Sequence, residues 1–164
     1  MKTFLITAVL LVTAIVVYFF ILGIHSRSKE APGLTGGQLA KCPGTPNCFC
    51  TEYPDQQGHY LAPITFPQTI SPAFSSLDIS REIITAMGGM VHEQNKNYLA
   101  ATFTSAIFSF VDDFEVRADA ENKIIHLRSA SRVGRSDLGV NKKRIELFKQ
   151  LYKMKISDSK IKTR

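Results

Sequence analysis

The chain has 164 residues, 45% of them apolar, with 20 Lys plus Arg against 14 Asp plus Glu, enough for one globular domain and an appendage. That apolar share excludes disorder over most of the length. With 10 Gly, 7 Pro and no sustained heptad, collagen-like, mucin-like and long coiled-coil architectures fall as well. The net charge of +6 is unevenly spread: residues 141 to 164 hold nine Lys or Arg against Glu146 and Asp158, a net +7, which leaves −1 for the rest. A uniformly basic surface is therefore absent, and no nucleic acid is expected as a partner.

From Phe4 to Ile24 the chain runs 21 residues without a charge. As a helix this spans roughly 31 Å at about 1.5 Å per residue, the thickness of a hydrocarbon core. A cleaved secretory signal would have a shorter apolar core, of about 7 to 15 residues, and a small-x-small site after it. A lipoprotein is excluded because Lys41 precedes Cys42, far from the apolar run. Residues 1–25 therefore read as an uncleaved signal anchor, with the membrane as partner through residues 4–24. Lys2 on one flank and His25, Arg27 and Lys29 on the other nearly balance under the positive-inside rule.

The cysteines break that tie. Cys42 and Cys48 bracket Pro43, Gly44, Pro46 and Asn47, a turn-rich loop able to bring two sulfurs together, and persistent disulfides belong outside the cytoplasm. The soluble part is expected on the periplasmic or otherwise extracytoplasmic side. A Cys42–Cys48 disulfide is the favoured reading and leaves Cys50 as a free or intermolecular thiol. Redox catalysis fits less well, because the spacing is not Cys-x-x-Cys. Zinc on Cys42, Cys48, Cys50 and His59 matches no standard ligand spacing. No metal or cofactor is expected.

Residues 26–38, rich in Gly, Ser and Pro, read as a flexible tether, and the folded domain is expected over residues 39–156. Pro63 limits the apolar run Tyr60 to Phe66 to an edge strand. A helix is predicted from a Ser75 cap through Leu77, Ile79, Ile83, Ile84 and Met87 to Gly88-Gly89. Extended runs follow at Met90–Glu93, Tyr98–Ser105, Ile107–Arg117 and Lys123–Ser131, joined by turns at Asn95–Asn97 and Asp119–Asn122. A Gly-containing loop over Val133–Val140 leads into a helix from Asn141 to Ile156, and residues 157–164 read as a disordered basic tail. Short turns join antiparallel strands, so the fold class is α+β, an antiparallel sheet with a helix before and a helix after it.

Three separated stretches, CPGTPNC at Cys42–Cys48, VDDFEV at Val111–Val116 and RSASRVGRSDLGVNKKRIE at Arg128–Glu146, resemble the family called domain of unknown function 1499, over about residues 39–152. The resemblance implies a small domain of bacteria and plastids, often membrane-anchored or exported, and hands over no activity. Cys50 departs from the family's pattern.

Strand alternation puts Phe108, Phe110, Asp112, Phe114 and Val116 on one face, the expected core face, and Ser109, Val111, Asp113, Glu115 and Arg117 on the other, expected to be solvated. Asp112 then needs a cation, since an unpaired carboxylate in an apolar layer costs several kcal/mol. Arg128 and Arg132, which share a strand face, and Arg144, on the apolar arc of the last helix with Ile145, Leu147, Phe148, Leu151, Tyr152 and Met154, are the candidates. A purely structural Asp112–arginine cluster is one outcome. The other is a pocket in which Asp112, Asp113, Arg128, Arg132 and Arg144 are joined by Ser131, Ser136, Asp137 and Asn141 near the opening of the last helix. There a helix N-terminus beside arginines would suit a small anionic ligand, a carboxylate or phosphate. A metal on Asp112, Asp113 and Glu115 is disfavoured, because alternation sends Asp112 to the opposite face.

No Gly-rich phosphate loop, G-x-S-x-G elbow or His-Glu-x-x-His motif occurs in the chain. A binding or structural module is thus expected in preference to an enzyme. The alternatives are a small hydrolytic or ligand-modifying enzyme using Asp112, Arg128, Arg132 and Asp137, and a lipid-surface module using the basic C-terminal helix.

Overall fold

In the computed structural model, which describes residues 1–65 and 74–162, the apolar run forms α1 (Lys2–Arg27), a helix long and apolar enough to cross a membrane. The stretch expected to be a flexible tether contains regular structure at its C-terminal end. Leu34–Thr35 (β1) and Gln38–Leu39 (β2) pair as an antiparallel hairpin, and Gly36 and Gly37 both have positive φ, 60° and 82°. Two such glycines make a primed turn whose twist matches the flanking strands. The glycines that suggested flexibility are the turn chemistry of a hairpin.

The main sheet runs in the order β3 (Cys48–Cys50), β8 (Ile124–Ser131), β7 (Val111–Asp119), β6 (Tyr98–Thr104), β5 (Met90–Gln94), with β4 (Ile64–Thr65) also on β8. All these pairings are antiparallel, as the short turns require. At Asn95–Asn97 the Asn95 side chain accepts the Tyr98 N–H at 3.1 Å, an Asx turn. The expected edge strand is short, Ile64–Thr65, and Phe66 lies outside the described residues. The strand expected from Ile107 starts later, at Val111, so Phe108 and Phe110 belong to the β6–β7 turn and not to a core strand face. They pack instead on α1, where Phe108 sits 5.3 Å from both Phe19 and Phe20 between ring centroids.

Helices α2 (Phe74–Ala86) and α3 (Val140–Lys162) cover one face of the sheet. The described α2 runs from Phe74, and the side chain of its expected cap, Ser75, lies outside the described residues. Its C-terminus closes on Gly88, with φ +86°, and the Gly89 N–H donates to the Ile84 carbonyl at 2.9 Å. Leu77, Ile83 and Ile84 of α2 and Ile145, Phe148 and Tyr152 of α3 bury against Leu99, Phe114, Val116, Ile125 and Leu127. The apolar arc of α3 is thus largely spent on this core, with only Leu147 and Met154 left outside. α3 continues to Lys162, six residues beyond the Ile156 expected from sequence.

The opposite face is not solvated. Leu39, Cys42, Cys48 and Cys50 from the N-terminal layer close over Tyr98, Ala100 and Ala130. Asp113, Glu115 and Arg117, expected in water, are 4%, 0% and 8% exposed. Over β7 and β8 the sheet is therefore a middle layer, largely buried on both sides, while the edge strand β5 leaves Met90, His92 and Glu93 exposed.

Candidate functional site

The register of β7 against β8 decides which charges meet. Glu115 lies opposite Arg128 and Asp112 opposite Ser131, so Arg128 shares the Glu115 face. On that second face Arg128 donates to Glu115 at 2.6 Å, and the Tyr98 hydroxyl donates to the same carboxylate at 2.8 Å. Arg132 grips one oxygen of Asp113 through Nε and Nη2 at 2.9 and 2.7 Å. Arg117 bridges Glu52 and Asp119, while the other Glu52 oxygen accepts the Leu39 N–H at 2.7 Å. Burial pushes the Glu115 carboxyl above its ordinary range, opposed by Arg128 and by the Tyr98 hydrogen bond. The Arg117–Glu52 pair ties the N-terminal layer to the sheet, while Arg128–Glu115 and Arg132–Asp113 join β7 to β8 and the residue after it beneath that layer. These three pairs do not form one constellation with Asp112, contrary to the clustering expected from sequence.

Asp112 faces the helices and, among the described residues, pairs with Arg144 alone, whose Nη2 donates to Oδ2 at 3.0 Å. Arg144 is fixed from three further directions. Its guanidinium stacks on the Phe103 ring at 4.5 Å, and Nη1 donates to Asn141 Oδ1 at 2.6 Å and Ser129 Oγ at 3.2 Å. Asn141 is fully buried and donates through Nδ2 to the Asn47 carbonyl and Ser131 Oγ, each at 3.0 Å. Asn47 belongs to the loop closed by the Cys42–Cys48 disulfide, and its Nδ2 donates to the Gly134 carbonyl at 3.1 Å. One continuous network therefore joins the disulfide loop, the end of β8 and the first turn of α3.

Asp137 occupies the position where an anion would bind that turn. Its Oδ1 accepts the Gly139 N–H at 3.0 Å and its Oδ2 the Asn141 N–H at 2.6 Å, while its backbone carbonyl accepts Val140 N–H at 3.2 Å. The donors that suggested a carboxylate or phosphate site are capped from within the chain.

Above these groups a cavity of about 470 Å³ opens between α1 and the end of the sheet, within the size range of small-molecule sites, roughly 300 to 1,000 Å³. One wall is apolar, from Phe19 and Leu22 of α1 with Phe103, Phe110, Val133 and Val140. The other end is polar, from Asp112, Ser131, Ser136, Asp137 and Arg144. Of the candidates read from sequence, these last five meet at the cavity, Asn141 lies behind it, and Asp113, Arg128 and Arg132 lie on the far side of the sheet. The hydrolytic set Asp112, Arg128, Arg132 and Asp137 is thereby split between two faces and cannot act on one bond.

Sequence reasoning did not find Ser129, Asn47 or Phe103, nor the part taken by Phe19 and Leu22. Ser129 was legible as the neighbour of Ser131 on the same strand face. Phe19 and Leu22 carried no local signal within an all-apolar run. Cys50 is free and buried, and burial pushes its thiol up to about 11, so it holds little thiolate at neutral pH.

The family described as "Protein of unknown function (DUF1499)" matches residues 38–151. The chain belongs to the DUF1499 family. No curated protein and no solved structure matches it. The DUF1499 match takes in the disulfide loop, the whole sheet and the Asp112–Arg144–Asn141 network, while Phe19 and Leu22, which complete the cavity wall, lie N-terminal to it.

Proposed function

We propose that the chain is a single-pass membrane protein whose domain lies on the extracytoplasmic side and binds an amphipathic small molecule in the cavity beside α1. The observation that carries the reading is the two-ended lining, with aromatic and aliphatic side chains supplied partly by α1 at one end and hydrogen-bonding groups at the other. Arg144 is already engaged by Asp112, Asn141 and Ser129, and Asp112 Oδ1 has no partner among the described residues. A ligand whose polar end donates hydrogen bonds, an amine or a hydroxyl group, fits better than a bare anion. Binding is favoured over catalysis because both Asp137 oxygens and the Arg144 donors are committed to positions within the chain.

Lysophosphatidylethanolamine, a single-chain lipid ending in an ammonium group, is a suitable probe. Native mass spectrometry of the full chain released from detergent should show it retained one to one. Val140→Trp, which fills the cavity from an exposed edge of α3 without touching the polar network, should lower retention by roughly tenfold, the cost of about 1.4 kcal/mol in binding. Equal retention by both chains would refute the site.

The side of the membrane is supported by the Cys42–Cys48 disulfide. A reporter fused after Arg164 that works only outside the cytoplasm should be active. Activity from a cytoplasm-only reporter instead would reverse the placement.

A further inference from the structure

We infer that the tip of the β6–β7 turn, Ser105–Phe110, together with Leu138, is immersed in the lipid bilayer next to α1. The inference rests on α1 crossing the membrane, and the partner it names is the acyl-chain border of the leaflet on the domain's side.

Depth along α1 sets the argument. Phe108 packs on Phe19 and Phe20, which precede the end of the apolar run at Ile24 by five and four residues. At about 1.5 Å per residue, the Phe108 ring then sits roughly 6 to 8 Å inside the hydrocarbon boundary for an upright helix. That matches the depth, about 5 to 10 Å, at which amphipathic segments bury their apolar side. The contact is close. A Cβ on Gly23 would lie 1.8 Å from the Phe108 carbonyl oxygen, so only glycine lets the turn reach this far down the helix.

The side chains left over fit the same level. Ile107 is 73% exposed and Leu138 is 90% exposed, more than any other large apolar side chain described beyond α1. Leu138 is also held at φ +56°, a conformation that bulky non-glycine residues avoid. Its loop lines the cavity opposite Phe19 and Leu22, which places it beside the same part of α1. Beyond this level come Arg27 and Lys29, and the Lys29 ammonium donates to the Arg132 carbonyl at 3.0 Å. Cations in that position face the phosphate layer.

The chain contains no Trp, so a single introduced one reports its own surroundings. Full-length Ile107→Trp and Leu138→Trp would be reconstituted in phosphatidylcholine vesicles with and without lipid brominated high in the acyl chain. Leu11→Trp serves as the reference within α1. Glu121→Trp serves as the reference in the β7–β8 turn, about 27 Å away along β7 at about 3.3 Å per residue. Brominated lipid should quench Trp at 107 and 138 by roughly twofold or more, as at 11, and leave 121 unchanged. Quenching at 11 without quenching at 107 and 138 would overturn the inference alone. Red-shifted emission at 107 would then mean water, and blue-shifted unquenched emission a second copy of the chain. No quenching at 11 would overturn it together with the reading of α1. Retention of lysophosphatidylethanolamine is read separately, so failure of the cavity leaves this result standing.

Discussion

Replacing Glu115 with alanine should cost the fold about 3 to 5 kcal/mol, measured by denaturant or thermal melting of the full chain in mild detergent. Glu115 is fully buried, and its partner Arg128 is only 6% exposed, so the variant strands a guanidinium where water does not reach. It also removes the acceptor of the Tyr98 hydroxyl. Glu115→Gln should cost less, because the amide oxygen still accepts from Tyr98. Replacing both partners, Glu115→Leu with Arg128→Met, should recover much of the loss, since a buried pair offsets its own desolvation only partly. The pH dependence has a defined sign. The folded-state carboxyl is raised by burial, so its contribution is complete below the ordinary value of about 4.3 and is lost as pH rises through the raised one. Relative to Glu115→Gln, the native chain should therefore gain stability on acidification. A loss under about 1 kcal/mol for Glu115→Ala would mean that the N-terminal layer opens readily to water.

Asp113→Ala should destabilise more than Asp112→Ala, by about 3 to 5 against about 1 to 2 kcal/mol in the same melts. Strand alternation read alone gives the reverse order, with Asp112 in the core and Asp113 in water. Asp113 is held by two donors of Arg132, and the two side chains are 5% and 10% exposed. Removing it leaves a buried arginine with little but the Ser26 carbonyl, at 3.5 Å. Arg144 without Asp112 still keeps Asn141, Ser129 and the Phe103 ring. Equal, small losses from both variants would show that the second face of the sheet is wet.

The turns and the helices were legible because their signals are local. Asn95, Asp119 and Gly88-Gly89 stop and reverse the chain by their own chemistry, and the spacing of Leu77, Ile83 and Ile84 marks a helix face. The second buried layer was not legible, because alternation assigns one face to the core and leaves the other to water. Asp113, Glu115 and Arg117 look like a wet face when read along their own strand. They become a buried one only when Arg128 and Arg132 arrive opposite them, and that depends on register. Ala120–Lys123 form the β7–β8 connection, with Lys123 at φ +57°. A turn one residue shorter would set Arg128 opposite Phe114, on the Asp112 face. The Gly36-Gly37 turn was visible in the sequence, and its flanking Leu34 and Leu39 were the sign of a hairpin that a flexible-tether reading passed over.

The contact between Gly23 and the Phe108 backbone turns the helix and the sheet into one lever. Ser26 Oγ accepts the Val111 N–H at 3.1 Å, so the strand that carries Asp112 begins on the helix itself, with no slack between them. A helix adapts to bilayers of different thickness by changing its tilt. Tilting by about 10° would swing the far end of a strand about 27 Å long through roughly 5 Å. Membrane thickness thereby becomes a mechanical input to this domain, felt both at the mouth of the cavity and at the distal turn.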